Sequence, residues 1–446
     1  MFPLVCLHQK DSLVLAPILV HSIYIIMNIL ADDNRDFFTR HTIQGGITCY
    51  RYILDFSALI CYDSEDIAAR FTNYGVKPLP SGMGSVKTVN YQEGKYKYMS
   101  EYTLSEIRPT DKRNRRLQEA LLKKEGIELD KNLDYSVGLF DEDYNLAATG
   151  SCFKNTLRCM AVDSSHQGEG LLNQVVTHLM DHQSERGNFE LFLYTKCDSA
   201  KFFNDLGFYE IARVDGKVVF MENRRTGFSG YLDRLRKTRV EGERVAAVVM
   251  NANPFTLGHQ YLLEKASAEN DVVHVFVVSE DVSLVPFSVR YELVKRGSAH
   301  LKNLVYHETG SYIISNATFP SYFLKDADLV IQSHARLDIN VFKKIAEALG
   351  VNYRYVGDEP FSQVTSIYNK IMKEELDAAG IQCVIVPRKE EGGSAISASK
   401  VRQAIKEGNL EALKSVVPES TYAYFTSPEA EPVIQRIRRA EEVIHY

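Results

Sequence analysis

The spacing of apolar and polar residues predicts strands and helices that alternate strictly in the second half of the chain. Val245–Met250 and Val272–Ser279 are nearly continuous apolar runs, as in strands buried on both faces of a parallel sheet. Gln260–Ala268, between them, has the spacing of a helix. Further along, the pattern predicts helices near 289–299, 339–349 and 363–379, and strands near 304–307, 328–332, 352–357 and 382–387. We therefore expect an α/β domain with a Rossmann-like, doubly wound parallel sheet over residues 245–446.

Residues 99–229 show a mixed pattern of short strands and helices. Two apolar runs flank an Asp-Glu-Asp turn between Tyr135 and Cys152, as in a β-hairpin. A strand at Leu157–Val162 then leads through a turn that contains glycine into an amphipathic helix. We predict an α+β domain here, joined to the α/β domain by a charged helical linker over residues 230–244.

Residues 1–98 have no sustained helical period. Leu13–Leu30 is apolar, but it is at the lower length limit for a membrane span and polar residues interrupt it. Just before Met99, the string Gln-Glu-Gly-Lys can be encoded by purine-rich DNA, as a bacterial ribosome-binding site would be. Either Met99 is the true start and residues 1–98 are upstream DNA read in frame, or these residues form a real N-terminal extension. The intact mass of the native protein separates these two expectations.

Composition and charge exclude several classes of protein. The 446 residues are 45% hydrophobic and 25% charged, as in globular proteins and unlike disordered or collagenous chains. With 52 basic and 58 acidic residues, the net charge is −6, so the chain has no overall attraction for nucleic acid or for anionic membranes. The seven cysteines are dispersed without a CxxC pair, as expected for buried thiols in a reducing compartment. We therefore expect a cytoplasmic protein that binds neither nucleic acid nor membrane.

The loop after Val245–Met250 is the first place to expect a site, because ligands of doubly wound sheets lie beyond the carboxyl ends of the strands. This loop contains Thr256-x-Gly258-His259 at the start of a helix. Gly258 allows a tight turn, and the N-terminus of the helix favours an anion. His259 can donate to an α-phosphate oxygen during attack and Thr256 can offer its hydroxyl to the same phosphate, so both are candidate catalytic and nucleotide-binding residues. The alternative is a capped helix whose histidine packs on the sheet.

A second motif lies near the C-terminus. The string Ile-Ser-Ala-Ser-Lys-Val-Arg, residues 396–402, opens a predicted helix. Ser397 and Ser399 can bond phosphate oxygens or cap this helix, and Arg402, about one turn further on, can pair with a β- or γ-phosphate. The presence of both motifs, at the two ends of one α/β domain, predicts that the domain binds a nucleotide.

Neighbouring loops supply further candidates. The nucleotide candidates are Asn253, Phe255, Arg290 and Gly357, and the candidates for holding Mg²⁺ are Asp358 and Glu359. Each polar candidate has an ordinary structural alternative: an Asx turn for the asparagine, a surface ion pair for the arginine and simple solvation for the acidic pair. The sequence assigns no metal site.

Two families carry similar motifs. The two loops resemble the T/H-x-G-H and I-S-S/A-T/S-x-V-R signatures of the nucleotidyltransferase superfamily, and residues 99–229 resemble the fold of the GCN5-related N-acetyltransferases (GNAT). In GNAT proteins the acyl-CoA turn reads Q/R-x-x-G-x-G. Gly168 and Gly170 match its glycines and are candidates for binding a CoA-like group, whereas Ser165 replaces its long polar residue. The resemblance implies either a domain that binds such a group or one that orients a protein partner.

Longer strings are similar to one particular family. NANPFTLGHQYLLEKA, YIISNATFPSYFLKD, VGDEPFSQVTSIYN and ISASKVRQ together resemble the citrate lyase ligases, and the similarity runs from roughly Met99 to the C-terminus. The resemblance implies a bacterial cytoplasmic enzyme that uses ATP with Mg²⁺ and has no tightly bound cofactor. It would join acetate to the thiol of the phosphoribosyl-dephospho-CoA group on the acyl carrier subunit of citrate lyase. The reaction would pass through an acetyl-adenylate and release AMP and diphosphate.

Three other functions stay open. A protein that only binds its ligands would tolerate the loss of His259. Another adenylyl- or cytidylyltransferase of the same fold would release diphosphate without forming a thioester. An acyl-CoA-dependent N-acetyltransferase would consume acetyl-CoA and would not need ATP.

Overall fold

The computed structural model describes residues 38–43, 47–52, 60–63, 102–279, 283–313, 327–358, 363–391 and 394–443. The chain divides into two compact units, residues 1–96 and 97–446. In the first unit, three antiparallel strands form a sheet in the order β1-β2-β3: β1 (Phe38–Ile43), β2 (Ile47–Tyr52) and β3 (Ile60–Asp63). The stretch Leu13–Leu30 and the candidate start Met99 lie outside the described residues, and the predicted domain boundaries stay predictions.

The second unit begins with a seven-stranded mixed sheet in the order β4-β5-β6-β7-β8-β10-β9. Its strands are β4 (Thr103–Glu106), β5 (Tyr135–Phe140), β6 (Leu146–Phe153), β7 (Thr156–Val162), β8 (Phe192–Thr195), β9 (Tyr209–Val214) and β10 (Val218–Glu222). The helices are α1 (Lys112–Lys124), α2 (Leu171–Glu185) and α3 (Ala200–Asp205). Neighbouring strands are antiparallel except β7 and β8, which are parallel and pair at two positions only. The predicted α+β domain and its β5–β6 hairpin are confirmed.

The α/β domain contains a five-stranded parallel sheet in the order β13-β12-β11-β14-β15. After α4 (Gly227–Arg236), its elements are β11 (Val245–Met250), α5 (Leu257–Glu269), β12 (Val272–Val277), α6 (Phe287–Gly297), β13 (Leu304–Glu308), α7 (Ala327–Leu349), β14 (Tyr353–Gly357), α8 (Gln363–Ala378) and β15 (Gln382–Val386). A short hairpin and three helices follow: β16 (Glu390–Glu391), β17 (Ser394–Ala395), α9 (Ala398–Glu407), α10 (Glu419–Phe425) and α11 (Glu431–Arg439). The predicted parallel α/β architecture is confirmed.

One predicted strand is wrong. The run near 328–332 belongs to the first turns of α7. A short apolar run has the same hydrophobicity in a buried strand and in a buried helix, so its period cannot separate the two. The rest of α7 has the burial pattern of a helix, because its less buried positions recur every three to four residues, at Arg336, Asn340, Lys344 and Glu347, and most residues between them are buried.

One hydrophobic cluster continues from the seven-stranded sheet into the α/β domain. It includes Phe220 of the seven-stranded sheet, Tyr231 of α4 and Phe276 of the five-stranded sheet. Two hydrogen bonds cross the same boundary: Tyr312 Oη donates to Glu222 Oε2 at 3.0 Å, and Tyr231 Oη donates to the backbone oxygen of Glu308 at 3.1 Å. The first half of the charged segment 230–244 is therefore a packed helix between two joined domains.

Two further findings concern membranes and thiols. Within the described ranges, no helix is both long and apolar enough to cross a bilayer. Cys152, Cys159, Cys197 and Cys383 are free cysteines. Burial raises the pKa of the Cys152 thiol to about 11 and that of Cys159 to about 12, so both remain protonated and unreactive in the folded chain.

Candidate nucleotide site

Thr256 and His259 cap the helix that follows the first parallel strand. The backbone N–H of Thr256 donates to Nδ1 of His259 at 3.1 Å, and the backbone N–H of His259 donates to Oγ1 of Thr256 at 3.4 Å. Oγ1 of Thr256 also lies 2.8 Å from the same Nδ1. This reciprocal arrangement is a capping box in which histidine takes the place of the usual glutamate. It fixes both predicted catalytic side chains at the N-terminus of α5.

The protonation state of His259 follows from this cap. Nδ1 accepts a hydrogen bond from a backbone N–H, so a neutral ring carries its proton on Nε2. Burial, together with the nearby Arg388 guanidinium, lowers the pKa of His259 to about 4. The ring is therefore neutral at pH 7 and offers an Nε2–H donor without a charge. Phe255 is fully buried and stacks on this ring with centroids 5.9 Å apart, so it supports His259 from within the core.

The second motif meets the first one. A Cβ placed on Gly258 would lie 3.5 Å from the backbone oxygen of Ile396. The next residue, Ser397, is the N-cap of α9 and accepts from the N–H of Lys400 at 3.3 Å. Oγ of Ser397 also lies 3.0 Å from Oγ of Ser399. The N-termini of α5 and α9 are thus brought together, and both present the end of a helix that favours an anion.

Arg290 is buried and bonded to backbone carbonyl oxygens. Its side chain is fully buried, and Nε donates to the backbone oxygen of Val285 at 2.9 Å. Nη1 donates to the backbone oxygens of Asn251 and Val278, at 2.8 and 2.7 Å. The guanidinium therefore joins three segments beside the site, and its predicted contact with phosphate stays a prediction.

Arg402 and Asn253 also connect separate segments through buried hydrogen bonds. Arg402 is buried, and it donates from Nη1 to the backbone oxygen of Asn253 and from Nε to that of Val443, both at 2.6 Å. The side-chain oxygen of Asn253 accepts from the N–H of Val285 at 3.0 Å. Burial lowers the pKa of Arg402 to about 10, which still leaves it charged at pH 7. These bonds hold the loop that precedes Thr256.

The remaining candidates lie at the carboxyl end of β14. Gly357 is the last residue of that strand, and Asp358 follows it and donates its N–H to the backbone oxygen of Val386 at 2.9 Å. Glu359 lies outside the described residues. Among the residues that the structure describes, no three His, Cys, Asp or Glu side chains are grouped to hold a metal ion.

One residue of the site belongs to neither motif. Arg388 follows β15, and its Nε donates to the backbone oxygen of Asp358 at 2.9 Å. The rule that ligands of a parallel sheet lie beyond the carboxyl ends of its strands could have found Arg388, because it comes two residues after Val386 ends β15. Sequence reasoning missed it because no motif contains it.

The predicted CoA turn has two glycines with left-handed backbone conformations and an acidic residue between them. Gly168 and Gly170 have φ of 91° and 73°, in the left-handed region, and a Cβ on either would meet open space. The carboxylate of Glu169 accepts from Tyr102 Oη and lies 3.5 Å from Nδ1 of His166. Ser165 donates from Oγ to Asp163 at 2.5 Å and closes the preceding turn. The two glycines allow the chain to turn tightly here, and a negative side chain lies between them.

Comparison with known proteins identifies the family. Residues 245–425 match the family described as citrate lyase ligase C-terminal domain. The chain is 36% identical over 319 residues to a citrate (pro-3S)-lyase ligase of Klebsiella pneumoniae, an alignment that covers 70% of this chain and 93% of that protein. It is 38% identical over 306 residues to the protein of the same name from Escherichia coli (strain K12), covering 67% and 87%. The chain belongs to the citrate lyase ligase family.

The match to the C-terminal domain of citrate lyase ligases begins at Val245 and ends at Phe425, the first residue of β11 and the last of α10. It therefore includes both motifs, and Arg388 between them. Two solved structures are similar to single domains of this chain. A putative nicotinate-nucleotide adenylyltransferase from Vibrio parahaemolyticus is 15% identical and covers 44% of this chain and 96% of that one, with a TM-score of 0.30. A putative acyl-CoA N-acyltransferase from Klebsiella pneumoniae is 20% identical and covers 27% and 95%, with a TM-score of 0.24. At these TM-scores, neither likeness carries a further argument.

Proposed function

We propose that this chain is an ATP-dependent ligase that activates citrate lyase. It acetylates the thiol of the phosphoribosyl-dephospho-CoA group on the acyl carrier subunit and forms AMP and diphosphate. The observation that carries the proposal is the contact between the two motifs, where Gly258 of the first lies against Ile396 of the second. This contact places two helix N-termini together at the carboxyl edge of a parallel sheet, in a chain of the citrate lyase ligase family.

In the first step, an acetate oxygen attacks the α-phosphorus of ATP, and the bond to the departing diphosphate breaks. Such a transfer needs positioning and stabilisation of charge more than it needs a covalent intermediate. The neutral His259 ring would donate a hydrogen bond from Nε2–H to an α-phosphate oxygen, because its Nδ1 already accepts one from the N–H of Thr256. The N-termini of α5 and α9 would stabilise the negative charge that develops.

In the second step, the sulfur of the carrier's thiol attacks the acetyl carbonyl carbon. The bond between that carbon and the AMP oxygen breaks, AMP leaves, and the thiol proton passes to solvent. Acetate, ATP and the carrier subunit are therefore the proposed substrates. Mg²⁺ would arrive bound to ATP, and Asp358 is the candidate side chain near the site for contacting it.

The GNAT-like domain would receive the carrier. Around Gly168 and Gly170 the turn leaves open space beside the backbone, which suits an elongated CoA-like group. The negative charge of Glu169 would weaken the binding of a phosphate there. Titrating the full chain with dephospho-CoA tests this role. If no saturable binding is seen, the domain does not bind the CoA-like group, and its proposed role is only to orient a protein partner.

The assay that tests the function incubates the full chain with ATP, acetate and the carrier subunit, and measures AMP and the mass of the carrier. We expect AMP to form only when acetate and carrier are both present, with one acetyl group gained by the carrier's prosthetic group. Release of diphosphate without a thioester would favour another nucleotidyltransferase. Acetylation from acetyl-CoA without ATP would favour an N-acetyltransferase.

A further inference from the structure

The three basic side chains predicted from the sequence to bind phosphate are either neutral or buried. A nucleotide brings several negative charges, and the candidate cations from the sequence are His259, Arg290 and Arg402. His259 is neutral at pH 7, because burial and a neighbouring cation lower its pKa to about 4. Arg290 and Arg402 are buried and donate to backbone carbonyls that hold the loops together. A cation from another segment would therefore bring to a phosphate beside His259 a charge that these three side chains do not supply.

Arg388 lies on the segment that leads from the carboxyl end of β15 to the second motif. Its Nε is bonded to the backbone oxygen of Asp358, just after β14. The next residue, Lys389, accepts through its backbone oxygen from the N–H of Ile396 at 3.1 Å. Ile396 is the residue whose own oxygen lies against Gly258. Arg388 is thus placed beside both motifs by two backbone contacts in succession.

The electrostatics agree with this placement. Burial is the main cause of the low pKa of His259, and the positive charge of Arg388 lowers it further, so the guanidinium lies within electrostatic reach of the ring. The bond to Asp358 also fixes one side of the planar guanidinium, which reduces the entropy lost when the group binds an anion.

We propose that Arg388 binds the α-phosphate of the nucleotide and supplies the positive charge that the neutral His259 cannot. This assignment rests on the proposed function, because it takes a nucleotide as the ligand of the site. Arg388 then forms a charge-assisted bond that strengthens as negative charge builds on the α-phosphate during attack. His259 then donates a hydrogen bond to the α-phosphate, and Arg388 neutralises its negative charge.

The test compares AMP, ATP and adenosine binding by the full chain and by Arg388→Gln, using calorimetry. Loss of one charge-assisted bond to the α-phosphate should weaken AMP and ATP binding alike, about tenfold or more, and leave adenosine binding unchanged. Arg388→Lys keeps the charge and should recover part of the affinity. Arg296→Gln makes the same substitution at an exposed residue of α6 that pairs with Glu292, and should change none of the three affinities.

Three results would overturn the assignment. If ATP binding weakens and AMP binding does not, Arg388 contacts the departing phosphates. If both affinities are unchanged and only the KM for acetate rises, Arg388 binds the acetate carboxylate. If Arg388→Gln melts at a lower temperature and Arg388→Lys binds AMP no better than it, the residue is structural. A wild-type chain that binds AMP and ATP but forms no thioester would contradict the proposed function and leave Arg388 in place.

Discussion

His259 has two roles that one substitution can separate. Its Nδ1 completes the cap of α5, while its Nε2 is the proposed donor to the α-phosphate. We expect His259→Ala to lower the rate of AMP formation by about 10²–10³, as when one preorganised donor is removed. Loss of the cap should cost only about 1 kcal/mol of the free energy of unfolding. Steady-state rates and urea unfolding measure the two effects, and near-normal turnover would remove His259 from the mechanism.

The low pKa of His259 also predicts the pH profile of the reaction. The ring stays neutral until the pH falls to about 4, where protonation of Nδ1 would displace the N–H of Thr256 and break the cap. We therefore expect kcat to show no acid limb near 6.5, the ordinary pKa of histidine. A limb at pH 6–7 that is absent from the residual activity of His259→Ala would contradict a ring that is neutral at pH 7.

Arg402 can be tested for a structural role against a role in phosphate binding. Its guanidinium satisfies the backbone oxygens of Asn253 and Val443 inside the core. Arg402→Met would leave both carbonyls unpaired, and we expect the free energy of unfolding to fall by about 2–4 kcal/mol. Urea unfolding measures the loss. Unchanged stability with weaker ATP binding would instead support the phosphate contact that the sequence motif predicts.

The spacing of short motifs predicts which loops form the site but not where long side chains point. Thr256 and His259 could be placed at a helix N-terminus because their cap is local, within four residues. Arg290 could not be placed, because the carbonyls that it meets come from three separate segments. Those contacts exist only after the sheet has assembled, so a single sequence does not contain them as a pattern.

At the scale of whole elements, the strands were predicted best where they are buried on both faces. Val245–Met250 was predicted with the bounds that the structure has, because its apolar run is continuous and ends at a polar loop. The run near 328–332 was misassigned, because a few apolar residues in a row fit both a strand and a buried helix.

The strand pair β12–β13 contains a buried pair of histidines. Nδ1 of His274 lies 2.8 Å from Nε2 of His307, and burial lowers the pKa of the two rings to about 4 and about 3. In the unfolded chain both titrate near 6.5, so below that pH the unfolded state binds protons that the folded state does not. The free energy of unfolding should therefore fall as the pH drops from 6.5 towards 4, by up to about 1.4 kcal/mol per pH unit for each histidine.

Substitution of the pair tests this acid sensitivity. We expect the double variant His274→Leu, His307→Phe to lose less stability between pH 7 and pH 5 than the wild type, because it has two fewer groups to protonate on unfolding. Urea unfolding at the two pH values measures the difference. His300→Gln, at an exposed position, is the matched control and should keep the wild-type dependence. An unaltered dependence in the double variant would place the acid sensitivity elsewhere.

At the scale of the whole molecule, one hydrophobic cluster is shared by the seven-stranded sheet and the α/β domain. The sequence predicted a charged linker over residues 230–244, since its polar residues dominate the composition. In the structure, the side chains of Phe228 and Tyr231 pack around Tyr312, with ring centroids 4.9 Å from it, and the hydroxyl of Tyr312 bonds to Glu222. A few apolar residues among many charges were enough to join the domains, and composition averages conceal them.

A shared core implies that the two domains unfold together. We expect Phe228→Ala to lower the free energy of unfolding by about 3 kcal/mol or more, as for other large-to-small core substitutions. Native thiols report on each domain separately, because Cys159 is buried in the seven-stranded sheet and Cys383 in the five-stranded parallel sheet. Because burial protects both, each should react with a thiol reagent only after its own domain unfolds.

Thiol labelling along a urea gradient, followed by peptide mass analysis, gives one midpoint for each domain. In the wild type we expect Cys159 and Cys383 to become reactive at the same urea concentration. Phe228→Ala should move both midpoints down together, whereas Phe202→Ala, at an exposed phenylalanine of α3, should move neither. Two separate midpoints, of which Phe228→Ala shifts only one, would mean that the domains fold independently. A common midpoint would mean that a carrier bound to one domain stabilises the other as well, because binding to the folded state stabilises the whole cooperative unit.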